Sequence, residues 1–310
     1  MGTAGGPHSV TRTGSGRASP LTGIGLAVAS VACFAVLDVT TKYISNSVPL
    51  LMALWFRYAF QAVVTTAIVL PLRGPAMLRT AHPRFHILRG ALLLLTSLFA
   101  FFSLRYMPVG EFTAIVMITP LVVTLLAATS LGEKVSPLRW ALVAGGFVGT
   151  MVIIRPGHDA FEWTTLLPVG VVACNSWFQV LTGKLVKTED PLTLQFYTGW
   201  TGTLVASLAL PFVWVSLGSW ALWANLALMG LMGTLGHFLL ILAYQRAPAS
   251  TLTPYLFCQI GFAMLGGWLV FAHVPDQWSL AGMVMIAACG AVGAWLAVRE
   301  SRVAISPAKF

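Results

Sequence analysis

The sequence predicts an all-α integral membrane protein, with ten transmembrane helices arranged as two inverted five-helix repeats around a central cavity. Three observations carry that prediction. Of the 310 residues, 57% are hydrophobic and only 9% are charged, against about 25% charged in a soluble domain. The apolar residues fall in runs of the length, about 20 residues, that a helix needs to cross hydrocarbon. Landmarks of the first half also recur in the second at a steady offset.

The first expected span covers 22–44 and follows a Gly/Ser/Thr-rich tail over 1–21 that contains Arg12 and Arg17. Its apolar run exceeds the 7–15 residues or so of a signal-peptide core and has no clear small-residue cleavage site, so it reads as an uncleaved helix. The next four spans are expected near 50–70, 85–106, 109–130 and 136–155. The second half supplies 162–183, 191–214, 220–244, 247–271 and 278–299, leaving a second short tail over 300–310. Connections are mostly four to ten residues, so neighbouring spans are expected to form antiparallel hairpins, with no soluble domain between them.

Lysine and arginine orient these spans, because cytoplasmic loops carry the excess of both. With the N-terminus inside, fourteen basic residues fall on the inner side, Arg73, Arg79, Arg84, Arg89, Lys184 and Lys187 among them. Only Lys42, Arg105 and Arg155 fall outside, and Arg57 lies within a span. The expectation is a multi-pass protein of the cell inner membrane with both termini cytoplasmic. The net charge of +9 is therefore spent on topology, and no nucleic-acid partner is expected. The lipid bilayer and a small-molecule substrate are the expected partners, with a monomer or homodimer as the assembly.

The two halves align at an offset near 140 residues. Ala32-Cys33 corresponds to Ala173-Cys174, Phe56 to Phe196, Pro71 to Pro211, and Pro108 to Pro248. Five spans per unit is an odd number, so the second unit sits upside down. That is a recurrent plan of secondary transporters, in which the halves exchange conformations about a central site. The expected units are 22–155 and 162–299.

Several strings also resemble a known family. FAVLDVTTKYIS (34–45), WFRY (55–58), the stretch from LRYMP onward (104–120), and LGEKVSPLRWALVAGGFVGTMVIIRP (131–156) resemble EamA-type transporters of the drug/metabolite transporter superfamily. The resemblance covers about 22–299, and the GEK segment is its most specific part. The second half is more degenerate, with Ala272-His273-Val274 where GEK would recur. The resemblance implies a ten-helix carrier that moves metabolites without ATP. Members handle amino acids, nucleobases, vitamins such as riboflavin, S-adenosylmethionine or metallophores.

Ionisable groups inside a span are costly, by about 2.5–3.5 kcal/mol on insertion scales, and mark functional candidates. Asp38 and Arg57 sit at similar depth on the first two spans. They are expected to form an interhelical ion pair that either locks the hairpin or gates the cavity, with Lys42 competing for the carboxylate or reaching for the surface. Glu111 opens the fourth span, where the helix dipole favours a carboxylate; a substrate contact or proton coupling is the alternative. His237 lies mid-span between glycines and reads as an interhelical hydrogen-bonder or as a proton relay or substrate ligand. Asn175, Trp177 and Gln179 on the sixth span, with Tyr255 and Gln259 on the ninth, would wall a cavity for a planar or amphipathic solute. Pro120 and Pro254 lie inside spans and are candidate hinges.

Four cysteines lie in apolar segments without metal-ligand spacing, and neither a HExxH motif nor a GxxxxGK[ST] loop occurs. No metal, cofactor, catalytic residue or nucleotide-driven pump is expected. The sequence thus points to a secondary transporter of a small amphipathic metabolite (amino acid-, vitamin- or nucleoside-like), proton-coupled or facilitative and working by alternating access. A non-transporting receptor or assembly subunit is the alternative, followed by a membrane-embedded enzyme.

Overall fold

A computed structural model describes residues 20–74, 79–130, 136–154, 166–272, 274 and 276–305. The expected tail is outside this set as far as residue 19, and so are the GEK segment and Arg155. Every described element is helical. The segments are α1 (Pro20–Ile44), α2 (Leu50–Arg73), α3 (Pro83–Tyr106), α4 (Val109–Val116), α5 (Thr119–Ser130) and α6 (Pro137–Ile154). They continue as α7 (Leu166–Leu185), α8 (Pro191–Val213), α9 (Trp220–Arg246), α10 (Ala249–Leu256), α11 (Cys258–Phe271) and α12 (Gln277–Ile305). Among the described residues, six helical stretches are long and apolar enough to cross a membrane, lying within α1, α2, α3, α7, α9 and α10–α11.

Helices stand where the sequence places spans, with two differences. The fourth and ninth expected spans are each interrupted, as α4/α5 and α10/α11. The C-terminal segment expected as a tail from residue 300 continues as helix to Ile305. The first interruption follows from Pro120, which has no N–H to donate to the preceding turn. Ile118 N instead bonds Ile115 O at 3.1 Å, a tighter turn than the α-helix. In the second, Pro254 lies inside α10 and the chain turns at Phe257 (φ −62°, ψ −20°).

The connections leading into these interrupted segments share one backbone geometry. Met107 (φ −133°, ψ 159°) and Ala247 (φ −150°, ψ 150°) are both extended, as a following proline requires. Pro108 and Pro248 then cap α4 and α10 at nearly the same angles. The main helix pairs are α1 with α9, α2 with α8, α3 with α7 and α6 with α12.

In lipid, helices associate through small residues and interhelical hydrogen bonds rather than through the hydrophobic effect. The α2–α8 seam shows both. A Cβ on Gly199 would lie 2.8 Å from the backbone nitrogen of Ala62, so only glycine allows this approach. Gln61 donates to Gln195 O at 3.0 Å, and Gln195 in turn donates to Thr234 O on α9 at 2.8 Å. Such contacts account for the burial of Thr193, Gln195 and Thr198 along the 23 residues of α8.

Candidate functional site

A cavity of about 90 Å³ lies where α1–α5, α7 and α9–α11 converge. Its walls are largely apolar, with Phe34, Leu93, Phe112, Val116, Val171 and Leu240 among them. Asp38, Arg57, Asn175, Gln179, His237 and Gln259 all reach it, as does Pro120 at the start of α5. Seven of the residues singled out from the sequence are thus brought to one place.

Asp38 and Arg57 face the same cavity, but the expected ion pair does not form among the described residues. The Asp38 carboxylate accepts a hydrogen bond from Gln259 Nε2 at 3.0 Å. Arg57 points toward α3 and α9: Nη1 donates to Ser97 Oγ at 2.6 Å, and Nη2 lies 3.2 Å from His237 Nε2. Lys42 Nζ donates to Met107 O at 3.1 Å, tying α1 to the end of α3. Arg57 fits because α9 offers Gly233, where a Cβ would stand 3.0 Å from the guanidinium Nε.

His237 is buried, with Phe34 at 4.7 Å and Phe178 at 5.4 Å between ring centroids. Its Nδ1 has no hydrogen-bond partner among the described residues. Gln179 accepts from Tyr244 Oη at 2.7 Å, which fixes its amide at the cavity edge.

Two expected lining residues are not there. Trp177 is 53% exposed and lines an outward-facing groove between α3 and α7. The reason is helical geometry. Asn175 and Gln179 are four residues apart and share a face, whereas a residue two positions along points away from both. Tyr255 is buried in an apolar cluster formed with residues of α1, α5 and α9, not in the cavity wall; Leu256 and Gln259 take the wall instead. Pro254, on the same turn, is not in the wall either. The backbone of Glu111 begins α4, but its side chain is outside the described set.

The structure also contains a polar layer that the sequence reading missed. Arg89, counted on the inner side by the charge rule and falling within the expected third span, lies in the second turn of α3 and is 0% exposed. Its Nε donates to Thr182 Oγ1 at 2.8 Å and Nη1 to Leu194 O at 3.0 Å, with a further bond to Thr198 Oγ1. The guanidinium also lies 4.5 Å from the centroid of the Phe178 ring. One turn nearer the helix start, buried His86 stacks against Tyr197 at 4.7 Å and stands 3.8 Å from Glu189. Glu189 is held by Thr80 Oγ1 at 2.6 Å. The spacing of His82, His86 and Arg89, three basic residues on one helical face, was the available signal.

Helices of this length and hydropathy around a small, partly charged internal cavity define a multi-pass membrane protein. Residues 21–155 match the EamA-like transporter family. A riboflavin transporter of Rhizobium johnstonii is 30% identical over 261 residues, covering 82% of this chain and 84% of that protein. An S-adenosylmethionine uptake transporter of Rickettsia conorii is 27% identical, covering 86% and 90%. A pseudopaline exporter of Pseudomonas aeruginosa is 26% identical, covering 85% and 93%. A solved crystal structure shares the fold with a TM-score of 0.74 at 19% identity, covering 90% of this chain and 99% of its own. The chain belongs to the EamA-like family of the drug/metabolite transporter superfamily, and is a transporter rather than an enzyme.

Proposed function

We propose that the protein is a secondary transporter of small amphipathic organic solutes, working by alternating access between two inverted halves, 22–155 and 162–299. The central cavity carries this reading. It presents a carboxylate and a guanidinium, each held by its own partners and not by the other, within apolar walls from both halves. Solute pockets typically enclose about 300–1,000 Å³, so a cavity of about 90 Å³ corresponds to a contracted state that must widen to admit cargo. The relatives named for S-adenosylmethionine, riboflavin and pseudopaline support an organic solute with polar and apolar parts.

The inverted arrangement is supported by the repeated geometry at Met107–Pro108 and Ala247–Pro248. It is also supported by the pairing of helices, because exchanging the halves turns the α1–α9 contact into α7–α3 and leaves α2–α8 and α6–α12 unchanged. On this reading Asp38, Arg57, Gln259 and His237 hold the polar parts of the solute, Asn175 and Gln179 line its path, and Glu111 stands at the outer mouth. The bias of basic residues toward one side supports both termini being on the cytoplasmic side of the inner membrane. The Arg89 and His86–Glu189 layers then close the cytoplasmic exit, and the bends beside Pro120 and Pro254 let α4 and α10 swing. Flux is facilitative or coupled to protons.

Counterflow in proteoliposomes tests the proposal. Vesicles loaded with unlabelled methionine, S-adenosylmethionine or riboflavin are expected to accumulate the labelled form of at least one of them. Folded protein that exchanges none of a broad metabolite panel, under any imposed gradient, would sink it.

A further inference from the structure

The groove beneath Trp177 has a volume of about 510 Å³ and lies between α3 and α7, away from the central cavity. Phe85, Leu88, Leu92, Trp177, Val180 and Leu181 form its walls, and His82, Lys184 and Thr188 close one end. Phe85, Leu88 and Trp177 are each about half exposed, so the walls open sideways to whatever surrounds the helices. Along α7 the groove runs from Trp177 to Leu185, about 12 Å at 1.5 Å per residue. That is close to one leaflet's share of a hydrocarbon core about 30 Å thick.

Charge is distributed unequally at the closed end. Arg79, His82, Arg84, Lys184 and Lys187 are all exposed there. Both carboxylates of the same stretch are committed to the fold. Glu189 turns inward to Thr80 and His86, and Asp190 caps α8 by accepting from Leu192 N at 2.8 Å. The bases face outward and the acids do not.

We propose that this groove binds an anionic phospholipid, one acyl chain lying along α3 and α7 and the phosphate sitting against Lys184 and His82. A zwitterionic lipid matches the walls but leaves the basic excess unanswered, whereas basic pockets between membrane helices select anionic headgroups. A free phosphate would match the charge and leave the apolar walls bare.

Native mass spectrometry of the delipidated full-length protein, titrated with dioleoylphosphatidylglycerol or dioleoylphosphatidylcholine, is the test. The phosphatidylglycerol is expected to bind more tightly. Lys184→Gln is expected to weaken it about fivefold, the loss that follows from one basic charge near a headgroup, and to leave phosphatidylcholine unchanged. Leu88→Trp, which fills the groove, is expected to weaken both lipids. Arg299→Gln, whose side chain lies over Trp295 on α12, is expected to change neither. Lys184 is exposed, so an unchanged thermal midpoint will show that its replacement leaves the fold intact. Equal affinity for the two lipids, no effect of Lys184→Gln, or displacement of phosphatidylglycerol by inorganic phosphate at matched ionic strength would each overturn the proposal.

Discussion

Ser97 and His237 hold the same guanidinium, that of Arg57, from opposite sides: one at 2.6 Å from α3, the other at 3.2 Å from α9. They stand 140 residues apart, the separation that also relates Pro108 to Pro248. A single cation on α2 is therefore gripped by corresponding positions of the two halves. If the halves move against one another, this contact has to change.

Replacing Arg57 by Gln is expected to reduce counterflow by at least about tenfold, because charge-assisted hydrogen bonds are roughly twice as strong as neutral ones. Ser97→Ala should give a smaller loss, since Tyr58 Oη, 2.8 Å from the Ser97 hydroxyl, is left beside the guanidinium. Initial rates at matched protein content provide the measurement; an Arg57→Gln protein with full activity would remove the residue from the mechanism.

Asp38 and Gln259 are directly bonded, whereas Asp38 and Arg57 are not. A double-mutant cycle on Asp38→Asn and Gln259→Leu is expected to show a coupling of about 1 kcal/mol. The corresponding cycle on Asp38 and Arg57 should lie closer to additivity. Thermal unfolding in nanodiscs reads both, and a larger coupling for the second cycle would restore the direct ion pair.

Arg89 separates stability from function. A buried cation without a carboxylate is costly to keep, and an apolar replacement of similar size is often neutral or stabilising. Arg89→Met is therefore expected to unfold at the same or a higher temperature while losing transport. Thr182→Val, which strips one acceptor from the guanidinium, should instead cost about 1–3 kcal/mol. Loss of fold in Arg89→Met would mean that its role is structural.

Gly199→Ala is expected to destabilise by about 1–3 kcal/mol, the usual cost of forcing atoms into a filled interface. Its Cβ would meet backbone of α2, which cannot rotate away. Gly261→Ala, with open space at the same test, should be neutral. Midpoints of thermal unfolding decide the comparison.

Pro254→Ala gives α10 a backbone donor that it lacks. Unfolding is expected to shift upward slightly or not at all, while the turnover rate falls as the segment stiffens. Unchanged turnover would dismiss the bend as a hinge.

Much of this arrangement was legible in the sequence because its signals are periodic or absolute. Span lengths, the prolines that interrupt α4/α5 and α10/α11, and the 140-residue offset all depend on order along the chain alone. Asp38, Arg57 and His237 stood out because charge within an apolar run is rare. What escaped depends on rotation and depth. Trp177 was placed in the cavity by proximity to Asn175 and Gln179, although two residues of helix turn it to the far side. Tyr255 was placed there as a polar aromatic, and packing took it into the core. Arg89 was counted with the inner-side cations although it falls within the expected third span, and one turn of depth decides between water and the protein interior.

The grip on Arg57 has a last consequence. The position corresponding to Arg57 in the second half is Tyr197, which stacks on His86 at 4.7 Å. If the two halves exchange backbone shapes as proposed, they still cannot exchange this charge. On the proposed alternating-access cycle, inward- and outward-facing forms would then differ in energy even with no solute bound, and the empty carrier would rest on one side. An obligatory exchange of solutes would bypass that empty return step, so exchange should outrun net flux through the same molecule.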